Sequence, residues 1–173
     1  MSETITQETF EAKMRDGTVL RADVWRPSTG GKHPVLLMRL PYDKSQGEDL
    51  CYAHPSWYAR HGYAVVVQDV RGRWASSGEF IPFASEGDDG EDTMAWLASL
   101  PFSNGRIGTY GFSYPGHTQL QIAVLNLRVE RVPERFDQAA QQVQTLAQSG
   151  KTLQAKLRLG HPDGQLQVFT LGG

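Results

Sequence analysis

Two stretches near the start of the chain alternate in polarity, Thr9 to Met14 and Val19 to Trp25, on either side of Asp16-Gly17. Asp-Gly between two such stretches predicts a β-hairpin, because the pair accepts the positive φ angles of a tight turn. Pro27 and the polar cluster Ser28 to Lys32 end the second strand. Three short, nearly continuous apolar runs follow: Pro34 to Leu40, Tyr63 to Gln68 and Arg106 to Phe112. Runs of that length without alternation predict strands covered on both faces. Ser56 to His61 predicts a short helix stopped by Gly62. Met94, Trp96, Leu97 and Leu100 are the apolar face of a second helix. It begins among Glu86, Asp88, Asp89, Glu91 and Asp92, where the helix dipole favours negative charge, and stops at Pro101. Asn104-Gly105 predicts a turn, and a third helix starts at or just after Ser113. An antiparallel hairpin followed by strands that alternate with helices implies an α/β fold, a parallel sheet with helices on its faces.

The pattern changes after residue 125. Phe136, Ala139, Ala140, Val143, Leu146 and Ala147 recur at helical spacing, and Gly150 is a good C-terminal stop. Leu153 to Leu159 and Gln165 to Leu171 alternate like strands around a turn at Gly160 to Gly164. Residues 1–125 carry 15 of the 17 aromatic side chains, whereas Phe136 and Phe169 are the two that follow. Net charge moves from −4 in residues 1–125 to +2 in residues 126–173. We therefore divide the chain into 1–125, the first part of a catalytic domain, and 126–173, a divergent segment. A surface helix followed by a hairpin is the plainer account of the same shift.

Charge and cysteine content narrow the function. With 17 Lys+Arg against 19 Asp+Glu the formal net is −2, which removes the electrostatic case for nucleic acid or an acidic membrane as partner. A single cysteine, Cys51, excludes an intramolecular disulfide and argues against a cysteine metal site. No stretch approaches the ~18 apolar residues of a membrane helix. The opening MSETITQETF has neither the basic n-region nor the apolar run of a signal peptide. The expectation is a cytoplasmic protein, with homo-oligomerisation left open.

The segment Gly111-Phe112-Ser113-Tyr114-Pro115-Gly116 carries the chemistry. A serine where a buried strand turns into a helix is exposed on a sharp bend, above the carboxyl ends of the strands, where open α/β sheets bind ligands. Glycines at 111 and 116 leave room for that bend and for helix–strand packing. The Tyr114 N–H, at the helix start, can point at a developing oxyanion. The generic G-x-S-x-G pattern is imperfect here, since Pro115 stands where its second glycine would be. The competing reading makes Ser113 a helix N-cap.

Four segments in register resemble a known family. They are Met14 to Pro27 (MRDGTVLRADVWRP), Arg39 to Lys44 (RLPYDK), Gln68 to Phe80 (QDVRGRWASSGEF) and Trp96 to Gly116 (WLASLPFSNGRIGTYGFSYPG). Together they are similar to the N-terminal part of the cocaine esterase / X-Pro dipeptidyl-peptidase family of α/β-hydrolases, over about residues 8–124. The resemblance implies a serine hydrolase that needs no cofactor and acts on a small molecule, an ester, amide or X-Pro dipeptide, with Ser113 as nucleophile. It also implies an oxyanion hole formed by the Tyr42 hydroxyl and the Tyr114 N–H. Without the resemblance, Tyr42 reads as a buried tyrosine bonded to a backbone carbonyl. The Asp69 to Arg71 loop also matches the family and reads as structural, with lining the site as the alternative.

A serine needs a general base and an orienting acid, which in α/β-hydrolases follow in the order Ser, Asp or Glu, His. The family carries both far beyond the elbow, whereas after about Val124 this sequence no longer looks like the family. The expectation is a truncated, frame-shifted or fused chain that lacks the triad partners. Lacking the strands that would flank the nucleophile strand, its sheet would keep an exposed edge. His117 lies one turn after Ser113 on the same helix, a poor position for a base. His161 follows Ser113 and Asp137 in the right chain order but sits in a predicted hairpin turn beside Asp163, with too little sheet built before it. His33, His54 and His61 read as loop or helix-surface residues. The alternative to an enzyme is a non-catalytic remnant or interaction fragment that retains the elbow.

Overall fold

The computed structural model describes residues 4–48, 52–129, 155–158 and 165–168. Strands β1 (Ile5–Lys13) and β2 (Val19–Pro27) pair antiparallel from Ile5↔Pro27 to Lys13↔Val19. The Asp16-Gly17 turn closes them as its composition predicts. Gly17 takes φ 88°, its N–H donates to the Met14 carbonyl (2.9 Å), and the Asp16 carboxylate accepts the Thr18 N–H (3.0 Å). The hairpin extends further than the polarity pattern marks, because β1 is mostly exposed and carries little alternation at its outer end.

The core strands are β3 (His33–Leu40), β4 (Ala64–Asp69) and β5 (Ser103–Thr109), with β3 parallel to both β4 and β5. β2 joins β4 antiparallel. All six residues of β4 are buried and divide by the strand's period of two. Ala64 and Val66 enter a core with Leu97 of α2 (Glu86–Ser99) and Ile122 of α3 (Tyr114–Val129). Val65 and Val67 enter the opposite core, with Ala59 of α1 (Pro55–Ala59), Trp25 and Met38. These two layers make the α/β architecture that the pattern predicts.

Three details differ from the sequence expectations. β5 starts and ends three residues earlier than the apolar run suggests, and Asn104-Gly105 lies inside it as a bulge. Gly105 takes φ 80°, and the register slips between His33↔Ser103 and Val35↔Ile107. The turn chemistry is real, but it bends a strand instead of ending one. Second, α3 begins at Tyr114 and continues to Val129, across residue 125. Third, the far edge of β5 is not left bare. β6 (Ala155–Arg158) and β7 (Gln165–Val168) form an antiparallel pair, and Val168 pairs in parallel with Thr109. The sheet order is therefore β1-β2-β4-β3-β5-β7-β6. The expected exposed edge of β5 is corrected at Thr109, where β7 pairs with it. The helix predicted over 136–147, the turn at 160–164 with His161 and Asp163, and Cys51 lie outside the described residues. Among the described residues, no helix is long and apolar enough to cross a membrane.

Candidate active site

β3 and β5 are neighbours and parallel, so their carboxyl ends lie side by side. Tyr42 stands two residues past the end of β3, and Ser113 four past the end of β5. The Tyr110 N–H still donates to the Leu37 carbonyl (3.0 Å), after which the chain leaves the sheet. Gly111 takes φ 144°, and a Cβ there would collide with Pro115, so glycine is required. Gly116 is different, because a Cβ there would meet the Gly111 carbonyl at an ordinary 3.5 Å. The tight glycine is therefore the one before the serine, and Pro115 is what makes it tight.

Ser113 itself takes φ 61°. A non-glycine residue held in that region costs of order 1–3 kcal/mol, and such strain clusters at functional sites. Local bonds hold the bend. The Ser113 carbonyl accepts the His117 N–H (3.0 Å), closing the first turn of α3. Buried Gln119 donates from Nε2 to the carbonyls of Gly111 (3.0 Å) and Pro115 (3.1 Å), and its Oε1 accepts from Thr109 (3.2 Å). The Ser113 side chain is exposed, and its hydroxyl has no hydrogen-bond partner among the described residues. An N-cap serine would spend its oxygen on an amide of the first turn; this one does not.

Tyr42 is 53% exposed, which overturns the buried-tyrosine alternative. Its backbone is nonetheless fixed. The preceding Pro41 carbonyl accepts from Arg73 Nε (3.1 Å) and Trp74 Nε1 (3.0 Å). Asp69 clamps both loops, taking the Lys44 N–H (2.7 Å) and the Ala75 N–H (3.2 Å). Burial pushes the Asp69 carboxyl up, and those two amides work against the shift. The Asp69 to Arg71 loop thus has the structural role expected of it. Arg71 ties it to Asp89 (2.6 Å) and to Asp16 of the first turn (2.6 Å).

Tyr114 is buried at the start of α3. Its hydroxyl donates to Glu86 Oε1 (2.8 Å) and accepts the Phe83 N–H (3.2 Å), and its ring stacks on Phe83 at 4.8 Å. Burial, reinforced by Glu86, pushes its phenol up to about 12. Glu86 in turn faces the guanidinium of Arg39 (3.0 Å), which is fully buried. The sequence explains the acidic cluster of α2 by the helix dipole alone. Dipole placement is incomplete as an account, because Glu86 and Asp89 are buried and face arginines.

Among the described residues, no histidine side chain is bonded to Ser113. The His117 ring packs against Phe83 (4.5 Å) and approaches Gln121 (3.2 Å). His54 caps α1, and His61 contacts the Trp57 carbonyl (2.7 Å). Among the described residues no group of three His, Cys, Asp or Glu side chains is placed to hold a metal ion.

The arrangement is an exposed serine on a left-handed bend, beside a fixed strand end that carries an exposed phenol. Comparison with known proteins gives it a family. The model of the X-Pro dipeptidyl-peptidase (S15) family matches residues 16–132. The chain belongs to this hydrolase family. It is 45% identical over 113 residues to the cocaine esterase of Rhodococcus sp. (strain MB1 Bresler), a match covering 64% of this chain and 20% of that protein. A CocE/NonD family hydrolase from Staphylococcus aureus superposes with a TM-score of 0.65 at 29% identity, over 70% of this chain and 25% of that one. An alpha-amino acid ester hydrolase superposes with a TM-score of 0.61 at 28% identity, over 71% and 24%. The fold is that of the α/β-hydrolases. The chain spans about a fifth of the length of the cocaine esterase it matches.

Proposed function

We propose that this chain carries the nucleophile and oxyanion-hole part of a serine acyl hydrolase. Ser113 Oγ attacks the carbonyl carbon of a small ester, amide or X-Pro peptide. Its proton passes to a base, the alcohol or amine leaves with a proton, and water then hydrolyses the acyl-serine. The Tyr42 hydroxyl and the Tyr114 N–H donate to the oxyanion, where preorganised donors are worth most. The observation that carries this reading is the left-handed Ser113 (φ 61°), exposed at the end of β5 and free of any cap bond.

A second reading, a non-catalytic remnant, is favoured by a different observation. Among the described residues no histidine or carboxylate side chain is bonded to Ser113. A fluorophosphonate probe separates the two, since it forms a phosphonyl–Oγ bond with loss of fluoride. An adduct mapped to Ser113 and absent from Ser113→Ala is the expected result. No adduct on the folded chain overturns the enzyme reading. Turnover of p-nitrophenyl acetate is expected to stay far below the ~10 s⁻¹ of an ordinary enzyme, because no base is bonded to Ser113 among the described residues. A Ser113-dependent rate within about tenfold of that value would mean that another histidine or a partner chain supplies it.

A further inference from the structure

Tyr114 supplies its backbone N–H to the proposed oxyanion hole, yet its side chain makes the stronger commitments. The hydroxyl is held between Glu86 Oε1 (2.8 Å) and the Phe83 N–H (3.2 Å), and the ring lies on Phe83. Glu86 stands at the first position of α2 and is 4% exposed. Arg39, from β3, reaches it with Nη1, at 3.0 Å from the carboxylate and 2.9 Å from the Glu86 carbonyl. Arg39 Nε donates to Gln68 Oε1 of β4 (2.9 Å), which also accepts from Thr93 of α2 (3.1 Å). One hydrogen-bonded path therefore runs from two central strands, through a buried ion pair, to the first residue of the helix behind Ser113.

Stability alone is a weak reason for this path. Buried ion pairs can often be replaced by apolar side chains of similar volume at no loss. Geometry is a better reason. A reacting site tolerates about half an ångström of slack in its donors, and Ser113 sits in a conformation that its surroundings must enforce. We propose that Glu86, held by Arg39, is a positioning residue for the oxyanion hole: it fixes the Tyr114 side chain and so the first turn of α3 that aims the Tyr114 N–H. This inference rests on the acyl-hydrolase reading for its purpose but not for its geometry.

The test uses the full chain and two readouts. The His117 amide bonds to the Ser113 carbonyl, so its hydrogen exchange, referenced to Val66 in β4, reports the closure of the bend. The second readout is the second-order rate of Ser113 labelling by a fluorophosphonate, per folded molecule. Tyr114→Phe keeps the ring and the N–H and removes the hydroxyl's two bonds, to Glu86 and from the Phe83 N–H. We expect His117 exchange at least fivefold faster relative to Val66, and labelling at least tenfold slower. The double variant Arg39→Met/Glu86→Leu should fold and loosen the bend likewise; should it not fold, Tyr114→Phe decides. Thr9→Val removes a bond to Asp23 in the β1–β2 hairpin, outside this path, and should leave both readouts unchanged. Unchanged His117 exchange in Tyr114→Phe overturns the inference, as does an equal change in Thr9→Val. A wild-type chain that never labels overturns the acyl-hydrolase reading instead, and the exchange arm still decides the positioning role.

Discussion

Tyr114 and Tyr110 flank the same bend and meet opposite fates. Tyr114 faces the layer of α2 and α3, where its hydroxyl has two partners and the carboxylate behind it has an arginine. Tyr110 faces the layer of α1, against Tyr52 and Tyr58. Its hydroxyl is buried with no hydrogen-bond partner among the described residues. It lines an open apolar groove of about 530 Å³, together with Leu36, Trp57 and Tyr63. One face of the sheet is sealed over an ion-paired network in which Arg39 Nη2, Gln68 Nε2 and Glu86 Oε2 still lack a hydrogen bond among the described residues, while the other is open and apolar. A buried phenol is an asset on the first face and a cost on the second, since an unsatisfied buried group loses its hydration for nothing.

The largest expected effect lies on the sealed face. Glu86→Ala leaves Arg39 buried without its main partner and should cost about 3–5 kcal/mol in urea unfolding. A loss under 1 kcal/mol would mean that the network is not as dry and paired as described. Gly111→Ala comes next. It places a Cβ against Pro115 at φ 144° and should cost about 2–4 kcal/mol, strain and overpacking together. Gly116→Ala, at a position with ordinary clearance, should cost under 1 kcal/mol. Equal losses for the two glycines would contradict the account of the bend.

The sequence makes these regions legible to different degrees. The apolar runs give β3 and β4 almost to the residue, since strands buried on both faces carry no polar interruption. The resemblance to the family points to Tyr42 and Ser113, and both stand at the carboxyl ends of adjacent strands. Arg39 and Glu86 are harder to read. They lie 47 positions apart, and an arginine at the end of an apolar run reads as the point where a strand meets solvent. Their pairing arises only when β3 passes beneath the start of α2. Asn104-Gly105 misleads for another reason, because turn chemistry also serves a bulge. Gly116 misleads through its resemblance to a motif glycine, when Pro115 has moved the close contact to Gly111.

Removing one hydroxyl from each face tests the comparison directly. Tyr114→Phe should cost about 1–3 kcal/mol, since it removes two hydrogen bonds, one of them to a carboxylate. Tyr110→Phe should cost nothing measurable or gain stability, because it deletes an unsatisfied buried group. The sign difference is the point, and paired urea titrations read it. Equal losses would show that the Tyr110 hydroxyl has a partner after all.

The smallest effect is one of pH. Burial raises the Tyr114 phenol to about 12 from an ordinary value near 10, and raises Tyr110 as well. A phenol whose folded pKa is raised keeps its proton after the unfolded chain has lost it. Its contribution to stability is then fully present below about 10 and lost as pH rises towards the folded value. Unfolding free energy should therefore fall with pH between about 10 and about 12. Lysines also titrate in this window, so the useful quantity is the difference between wild type and variant at each pH. For Tyr114→Phe that difference should shrink as pH rises, because the wild type loses an advantage that the variant never had. Tyr110→Phe should narrow its gap, or widen its lead, in the same direction, since burial is the first cause of both shifts. Parallel curves for either variant would show that the phenol concerned is not shielded by folding.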